Sequence, residues 1–126
     1  MDFKNNIPIY IQIIELIEKD IINEKIKCGE QLPSVRDMSV KYKVNPNTIQ
    51  KVFKELERKD IVFTKRGMGT FVKEDCNMVE ILKENMATEL MGNFLKSMEE
   101  LGFNDEEIVG NLKKVMDKGE RNVTGN

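Results

Sequence analysis

The sequence predicts a mainly α-helical (α+β) chain in which two short helices and a β-hairpin precede a C-terminal helical hairpin. Three observations support this fold class. Apolar residues recur at helical spacing on both sides of a turn near residue 45. Two short runs rich in β-branched and aromatic residues flank a glycine-containing turn at 65–69. An apolar stripe with helical spacing then runs from residue 79 to residue 101. Each pattern has the period of the element that it predicts.

The chain opens with an apolar segment that we expect to form a helix. Pro8 suits a helix start, and the helix is predicted to run to about Lys25. The residues expected to face the core are Tyr10, Ile13, Ile14, Ile17 and Ile21. The segment is too short to cross a bilayer and is interrupted by Gln12, so no membrane association is expected.

The next segment has the signals of two helices joined by a tight turn. Ser34 is predicted to cap the first helix, and Asp37 would complete a capping box three residues later. The first helix is predicted to end at 42–44. Asn45 is predicted to cap the second helix, in which Pro46 takes the first position, where proline loses no hydrogen bond.

The second helix has two chemically different faces. One face carries apolar residues at helical spacing: Ile49, Val52, Phe53 and Leu56. The opposite face carries a row of amides and cations: Asn47, Gln50, Lys51, Lys54 and Arg58. Such a row suits a helix lying in the major groove of DNA. A merely solvated face is the competing interpretation, because amphipathic helix pairs are common.

The β-hairpin that follows favours the DNA-binding interpretation. Strands are predicted over 61–64 and 70–73, joined by the turn Lys65-Arg66-Gly67-Met68-Gly69. Two adjacent cations repel each other unless an anion lies against them, and the two glycines permit a positive φ. A hairpin with a basic tip directly after a recognition helix is a wing. The sequence thus predicts a winged helix-turn-helix domain.

These motifs together resemble the GntR family of bacterial transcription regulators. The resemblance covers residues 7–73 and rests on Leu32-Pro33-Ser34-x-Arg36, Asn47-Thr48, Leu56-Glu57 and Arg66-Gly67-x-Gly69-Thr70-Phe71-Val72. The remaining residues are too few for a large effector domain. They resemble the YtrA-type subfamily, in which a small helical tail mainly dimerises.

Candidate DNA-binding residues follow from the resemblance together with the polar row and the wing. They are Ser34, Arg36, Asn45, Asn47, Thr48, Gln50, Lys51, Lys54, Lys65, Arg66, Gly67 and Gly69. The resemblance implies that Arg36 reaches DNA and that Asn45, Asn47, Thr48 and Gln50 lie near bases or the adjoining backbone. Pro46 departs from the many relatives that carry a polar or basic residue there, so one contact is expected to be missing.

The charge distribution agrees with a DNA-binding module followed by a tail of another kind. The formal net charge is −2, which by itself argues against nucleic acid. Residues 31–73, however, contain ten Lys or Arg against four Asp or Glu, a net of +6. Residues 76–126 contain six against ten, a net of −4. This asymmetry is expected when only one part faces phosphates.

The composition argues against catalysis. The chain has no histidine, which removes the commonest general base and the commonest metal ligand. Cys28 and Cys76 lack metal-ligand spacing, so we expect reduced thiols in a cytoplasmic protein. We expect no enzyme activity, no metal and no cofactor.

The predicted tail, residues 76–126, consists of a long helix from about Asn77 to Gly102 and a second helix capped by Asn104 with Glu107. One short partner helix cannot cover the long apolar stripe, so we expect a homodimer with two-fold symmetry. The predicted dimerisation residues are Leu82, Met86, Leu90, Phe94, Met98 and Leu112. The winged domain is assigned to residues 1–75.

The resemblance implies a dimer that binds a pseudo-palindromic operator in double-stranded DNA. Regulators of this subfamily often repress their own operon, frequently one that encodes an ABC transporter. Two alternatives stay open: a protein-interaction module that uses the tail stripe, and a ligand sensor that uses the methionine-rich tail helices. The sequence identifies no small-molecule effector.

Overall fold

The computed structural model describes residues 3–119, and the predicted fold class is confirmed. Helices dominate, and the sheet has two strands. The elements in chain order are α1 (Ile9–Ile22), α2 (Val35–Tyr42), α3 (Pro46–Arg58), β1 (Val62–Lys65), β2 (Gly69–Val72), α4 (Cys76–Glu100) and α5 (Asp105–Lys118). Within residues 3–119, no helix combines the length and the apolar character needed to cross a membrane.

The chain divides into two compact units between Glu84 and Asn85. The first unit contains α1 to β2 together with the first turns of α4. The second unit contains the rest of α4 and α5. The division therefore falls within a continuous helix, nine residues after the boundary expected from the sequence.

Helix α1 ends three residues earlier than the sequence predicted, so the expected end near Lys25 is wrong. Glu24 adopts a left-handed conformation with φ of 60°. The backbone N–H groups of Lys25 and Ile26 both donate to the carbonyl oxygen of Asp20. These bonds satisfy a helix-end carbonyl and turn the chain away from the helix axis.

The helix-turn-helix is confirmed, and local capping explains where its helices begin. The Ser34 hydroxyl oxygen accepts from the Asp37 backbone N–H at 3.1 Å. The reciprocal bond of a capping box is missing here, because aspartate is one methylene shorter than the glutamate usual at this position. Lys43 turns the chain with φ of 55°, and Asn45 Oδ1 accepts from the Asn47 N–H at 2.8 Å.

The core of the first unit joins α1, α2, α3 and the hairpin. Most of the predicted inward residues are buried, although Tyr10 and Phe53 are only half-buried. Burial raises the pKa of the Tyr42 phenol, and the nearby Asp20 charge acts in the same direction. The buried apolar residues of this core are Ile13, Ile14, Ile17, Ile21, Leu32, Met38, Tyr42, Ile49, Val52, Leu56, Ile61, Val62 and Val72.

Both strands differ from their predicted limits by one residue. β1 begins and ends one residue later than predicted, and β2 begins and ends one residue earlier. β1 and β2 are antiparallel, with Val62 opposite Val72 and Lys65 opposite Gly69. A preceding extended segment, residues 29–32, runs along the other edge of β2. There the Leu32 N–H donates to the Thr70 carbonyl at 2.8 Å and the Val72 N–H donates to the Glu30 carbonyl at 2.9 Å.

The second unit contains the end of α4 and the start of α5 where the sequence predicts them. Gly102, with φ of 92°, follows α4, and Asn104 caps α5. The capping box is complete, because Asn104 Oδ1 accepts from the Glu107 N–H and the Glu107 carboxylate accepts from the Asn104 N–H. Ile108 is buried in this unit.

An ion pair with a buried carboxylate joins Lys59, at the end of α3, to Glu18 of α1 and generates a stability prediction. Glu18 is 3% exposed, and its carboxylate accepts from Lys59 Nζ at 2.6 Å. Lys59→Met leaves that carboxylate buried without its partner. We expect the free energy of unfolding to fall by about 1–3 kcal/mol, measured by urea denaturation at fixed protein concentration.

Lys73→Met is the matched control, because Lys73 pairs with Asp60, which is 81% exposed. An exposed pair contributes little, so this change should cost less than about 1 kcal/mol. Equal losses in the two variants would contradict a special role for the buried pair.

Candidate DNA-binding surface

The first turn of α2 exposes two of the candidate residues. The hydroxyl of Ser34 accepts the capping bond, and its own hydrogen is still available for donation to a phosphate oxygen. Arg36 is exposed, and its backbone carbonyl accepts from the buried Ser39 hydroxyl at 2.7 Å. The Arg36 guanidinium therefore extends from a helix turn whose backbone is held by the core.

The start of α3 places amide side chains at the surface. Asn47 and Gln50 are exposed, whereas Thr48 is half-buried. Because Asn45 Oδ1 is used in the cap, the Asn45 amide group keeps only its N–H donors for another partner. Gln50 keeps both a donor and an acceptor, which is what bidentate recognition of a base edge requires.

The cations along α3 differ in what they contact. Lys51 Nζ lies 4.0 Å from the centroid of the Tyr10 ring, a cation–π contact that links α3 to α1. Arg58 donates to Glu55, with Nε 2.7 Å from Oε1. This hydrogen bond lowers the pKa of Glu55 and raises that of Arg58. Lys54 is exposed, and no ion pair involves it within residues 3–119.

The two cations of the wing differ in what their side chains contact. We call residues 65–69 the wing tip. The rings of Phe63 and Phe71 stack across the strands with centroids 5.9 Å apart. Lys65 Nζ lies over this pair, 5.1 Å from the Phe71 centroid. Lys65 and Arg66 are both exposed, and within residues 3–119 no aromatic ring or carboxylate pairs with Arg66. Gly67 is also exposed and has φ of 77°, which a residue with a Cβ adopts only with strain.

All of these candidate residues lie in the first unit, and one contact joins two of the segments that carry them. The Gln31 side chain, three residues before Ser34, donates to the Met68 carbonyl in the wing tip at 2.7 Å. The sequence pattern does not predict a role for Gln31. No periodicity or motif distinguishes a single glutamine that makes a contact 37 residues away. The Lys51–Tyr10 contact was missed for the same reason.

Two packed helices joined by a tight turn, followed by a hairpin with a basic tip, define a winged helix-turn-helix DNA-binding domain. The model of the bacterial regulatory proteins of the gntR family matches residues 9–72. The chain belongs to the GntR family, and it is therefore a DNA-binding transcriptional regulator rather than an enzyme.

The relatives and solved structures agree with this assignment. The chain is 41% identical over 117 residues to the uncharacterized HTH-type transcriptional regulator YhcF of Bacillus subtilis, covering 93% of this chain and 97% of YhcF. It is 41% identical over 75 residues to the HTH-type transcriptional repressor YtrA of Bacillus subtilis, covering 60% and 58%. A GntR family transcriptional regulator from Listeria monocytogenes superposes with a TM-score of 0.81 at 40% identity, covering 90% of this chain and 99% of that structure.

The different environments of the two wing cations generate a prediction. We expect Arg66→Ala to lower DNA affinity about tenfold or more, the loss of one charge-assisted hydrogen bond. Lys65→Ala should cost less, because the Lys65 ammonium lies over the aromatic pair. Fluorescence anisotropy with a labelled duplex, repeated over a series of salt concentrations, measures both affinities. A larger loss for Lys65→Ala would show that the tip arginine is not the main phosphate contact of the wing.

Proposed function

We propose that this regulator is a cytoplasmic homodimer that binds a pseudo-palindromic operator and represses its own operon. The relative YtrA of Bacillus subtilis is named a transcriptional repressor, which supports repression rather than activation. The resemblance to the YtrA-type subfamily supports an operon that encodes an ABC transporter.

The exposed apolar surface of the second unit is the observation that carries the dimer proposal. Leu90, Met91, Phe94 and Leu95 recur at i, i+1, i+4 and i+5 and therefore share one side of α4. Leu90 is 68% exposed and Phe94 is 39% exposed in the single chain. Burying such a side chain stabilises an assembly by about 1.5–3 kcal/mol. A second copy offers an identical apolar surface, which is what a two-fold interface requires.

We propose a revised set of dimerisation residues, chosen by their exposure in the single chain. Leu82 is buried in the first unit, and Met86 and Met98 are half-buried. Leu90, Phe94 and Leu112 are exposed. We therefore centre the proposed interface on Leu90 and Phe94 and extend it to Met91, Leu95 and Leu112.

We further propose that the domain contacts each half-site through three segments. The α2 start supplies Ser34 and Arg36, and the α3 polar face supplies the amides and Lys54. The wing tip supplies Arg66, with Gly67 and Gly69 allowing close approach of the backbone. Lys51 and Lys65 contribute positive potential while each stays over an aromatic ring.

Selection of bound duplexes from random DNA tests the operator proposal, and Gln50 provides a sharp variant. The wild-type protein should recover a two-fold repeat with half-sites about one helical turn apart, roughly 34–36 Å, or a small multiple of it. Gln50→Ala should relax the preference at one position in each half-site, by about 1–3 kcal/mol if the contact is bidentate.

Lys54→Ala is the matched control for base reading. It should weaken all sequences alike and reduce the slope of log affinity against log salt by about one. If Gln50→Ala also weakened every duplex equally, Gln50 would not read a base. Recovery of no repeat by the wild-type protein would contradict the operator proposal.

A double substitution tests the proposed interface. Leu90→Asp with Phe94→Asp should give monomers, because burying two carboxylates is costly. Operator affinity should fall by about two orders of magnitude or more, because the second half-site contact is no longer intramolecular. Analytical ultracentrifugation reports the mass, and gel shift reports the affinity.

Asn85→Asp with Asn93→Asp adds the same charge at exposed polar positions of α4 and should leave the dimer intact. If instead the Leu90 and Phe94 double variant still sediments as a dimer, the interface lies elsewhere. The apolar surface would then be available to another protein or to a ligand.

A further inference from the structure

The segment that precedes α2 is hydrogen-bonded along the wing. The Gly29 N–H donates to the Val72 carbonyl at 2.9 Å, and the Leu32 N–H donates to the Thr70 carbonyl at 2.8 Å. Gln31 lies between these residues in an antiparallel bridge with Phe71. These backbone bonds fix the position from which the Gln31 side chain extends.

The Gln31 amide ends at the wing tip. Its Nε2 donates to the Met68 carbonyl at 2.7 Å, a distance typical of a well-formed hydrogen bond. Within the tip itself, the Met68 N–H donates to the Lys65 carbonyl at 2.9 Å. Arg66, Gly67 and Met68 are all exposed. The backbone bonds from residues 29–32 reach Thr70 and Val72 but not residues 66–68, so this side-chain bond is an additional restraint on the exposed turn.

Gly69 leaves the space that this bond requires. Its φ is 127°, a value that residues with a Cβ rarely adopt. A Cβ at this position would lie 2.5 Å from Gln31 Nε2. Any larger residue at position 69 would therefore displace the Gln31 amide as well as strain the backbone.

The same short segment also sets the start of α2. Leu32 is 3% exposed and is held in the core, and Ser34 caps α2 two residues later. Gln31 therefore links the wing tip to the helix turn that carries Arg36.

We infer that Gln31 is a positioning residue, which holds the wing tip so that Arg66 meets DNA in register with Arg36. Gln31 acts through the wing tip and not through a contact of its own with DNA. This inference rests on the DNA-binding role proposed for the wing.

Gln31→Met tests the inference, because methionine has nearly the same length and lacks the N–H donor. In the DNA-free protein, the NMR order parameters of the 66–68 amides should fall while those of α2 and α3 stay unchanged. Unchanged order parameters at the tip would overturn the inference. This readout does not depend on DNA, so it separates failure of the inference from failure of the proposed function.

A double-mutant cycle with Arg66→Ala tests the coupling. On the strongest-binding duplex from the selection, Gln31→Met should reduce affinity about three- to tenfold, the range expected for one hydrogen bond. In the Arg66→Ala background the same change should have little further effect, because the group that it positions is gone. An equal loss in both backgrounds would show that Gln31 acts independently of Arg66 and would overturn the inference.

Glu30→Ala is the matched control. Its carboxylate accepts from the Lys27 N–H at 3.0 Å, within the same loop and away from the wing tip. It should leave both the tip order parameters and the DNA affinity unchanged. A loss as large as that of Gln31→Met would attribute the effect to the loop as a whole and not to the Gln31 bond.

Discussion

The arrangement of the first unit depends on the burial of one face of α3. Ile49, Val52 and Leu56 are fully buried, and α3 packs against α1, α2 and β1. Once these side chains are inside, the rotation of α3 about its axis is fixed, because a helix has a constant angle per residue. The amides and Lys54 are then held on the outer face. The same burial fixes the place from which β1 leaves toward the wing, so both of the elements proposed to contact DNA depend on this one buried apolar face.

Arg58 and the cations among the candidate DNA-binding residues fall into two groups with different contacts. Lys51 and Lys65 lie over aromatic rings, and Arg58 is paired with Glu55. These cations have partners within the domain and still add to its positive potential. Arg36, Lys54 and Arg66 have no such ring or carboxylate partner within residues 3–119, and they occur in three different segments, α2, α3 and the wing tip. If these three side chains contact phosphates, they hold a DNA duplex at three separate points. Such contacts restrict the orientation of the duplex as well as adding affinity.

The sequence predicts the local features of this fold well and the contacts between distant segments poorly. Caps at Ser34, Asn45 and Asn104 follow from side chains that bond to nearby N–H groups, so short patterns reveal them. The strand limits differ from the predicted ones by one residue because the cross-strand pairing, from Val62 with Val72 to Lys65 with Gly69, and not local propensity, decides where the strands begin and end.

The candidate site shows the same division between local and distant information. The polar face of α3 follows from helical periodicity, and the basic wing tip follows from its composition. Gln31 could not be found in this way, since its hydrogen bond depends on the folded hairpin. The tail stripe follows from the sequence pattern, but which of its members a single chain covers depends on the folded structure and not on the pattern. Leu82 and Leu90 belong to the same sequence stripe and yet differ completely in burial.

The most direct test of this account is an NMR titration of the ¹⁵N-labelled protein with the selected duplex. Backbone amide shifts should change most at 34–37, 45–51 and 65–69, the three segments that carry the proposed DNA contacts. Amides of 86–118 should change little, because this part is proposed to join two copies of the chain. Large changes confined to 86–118, with the three segments unaffected, would contradict the account.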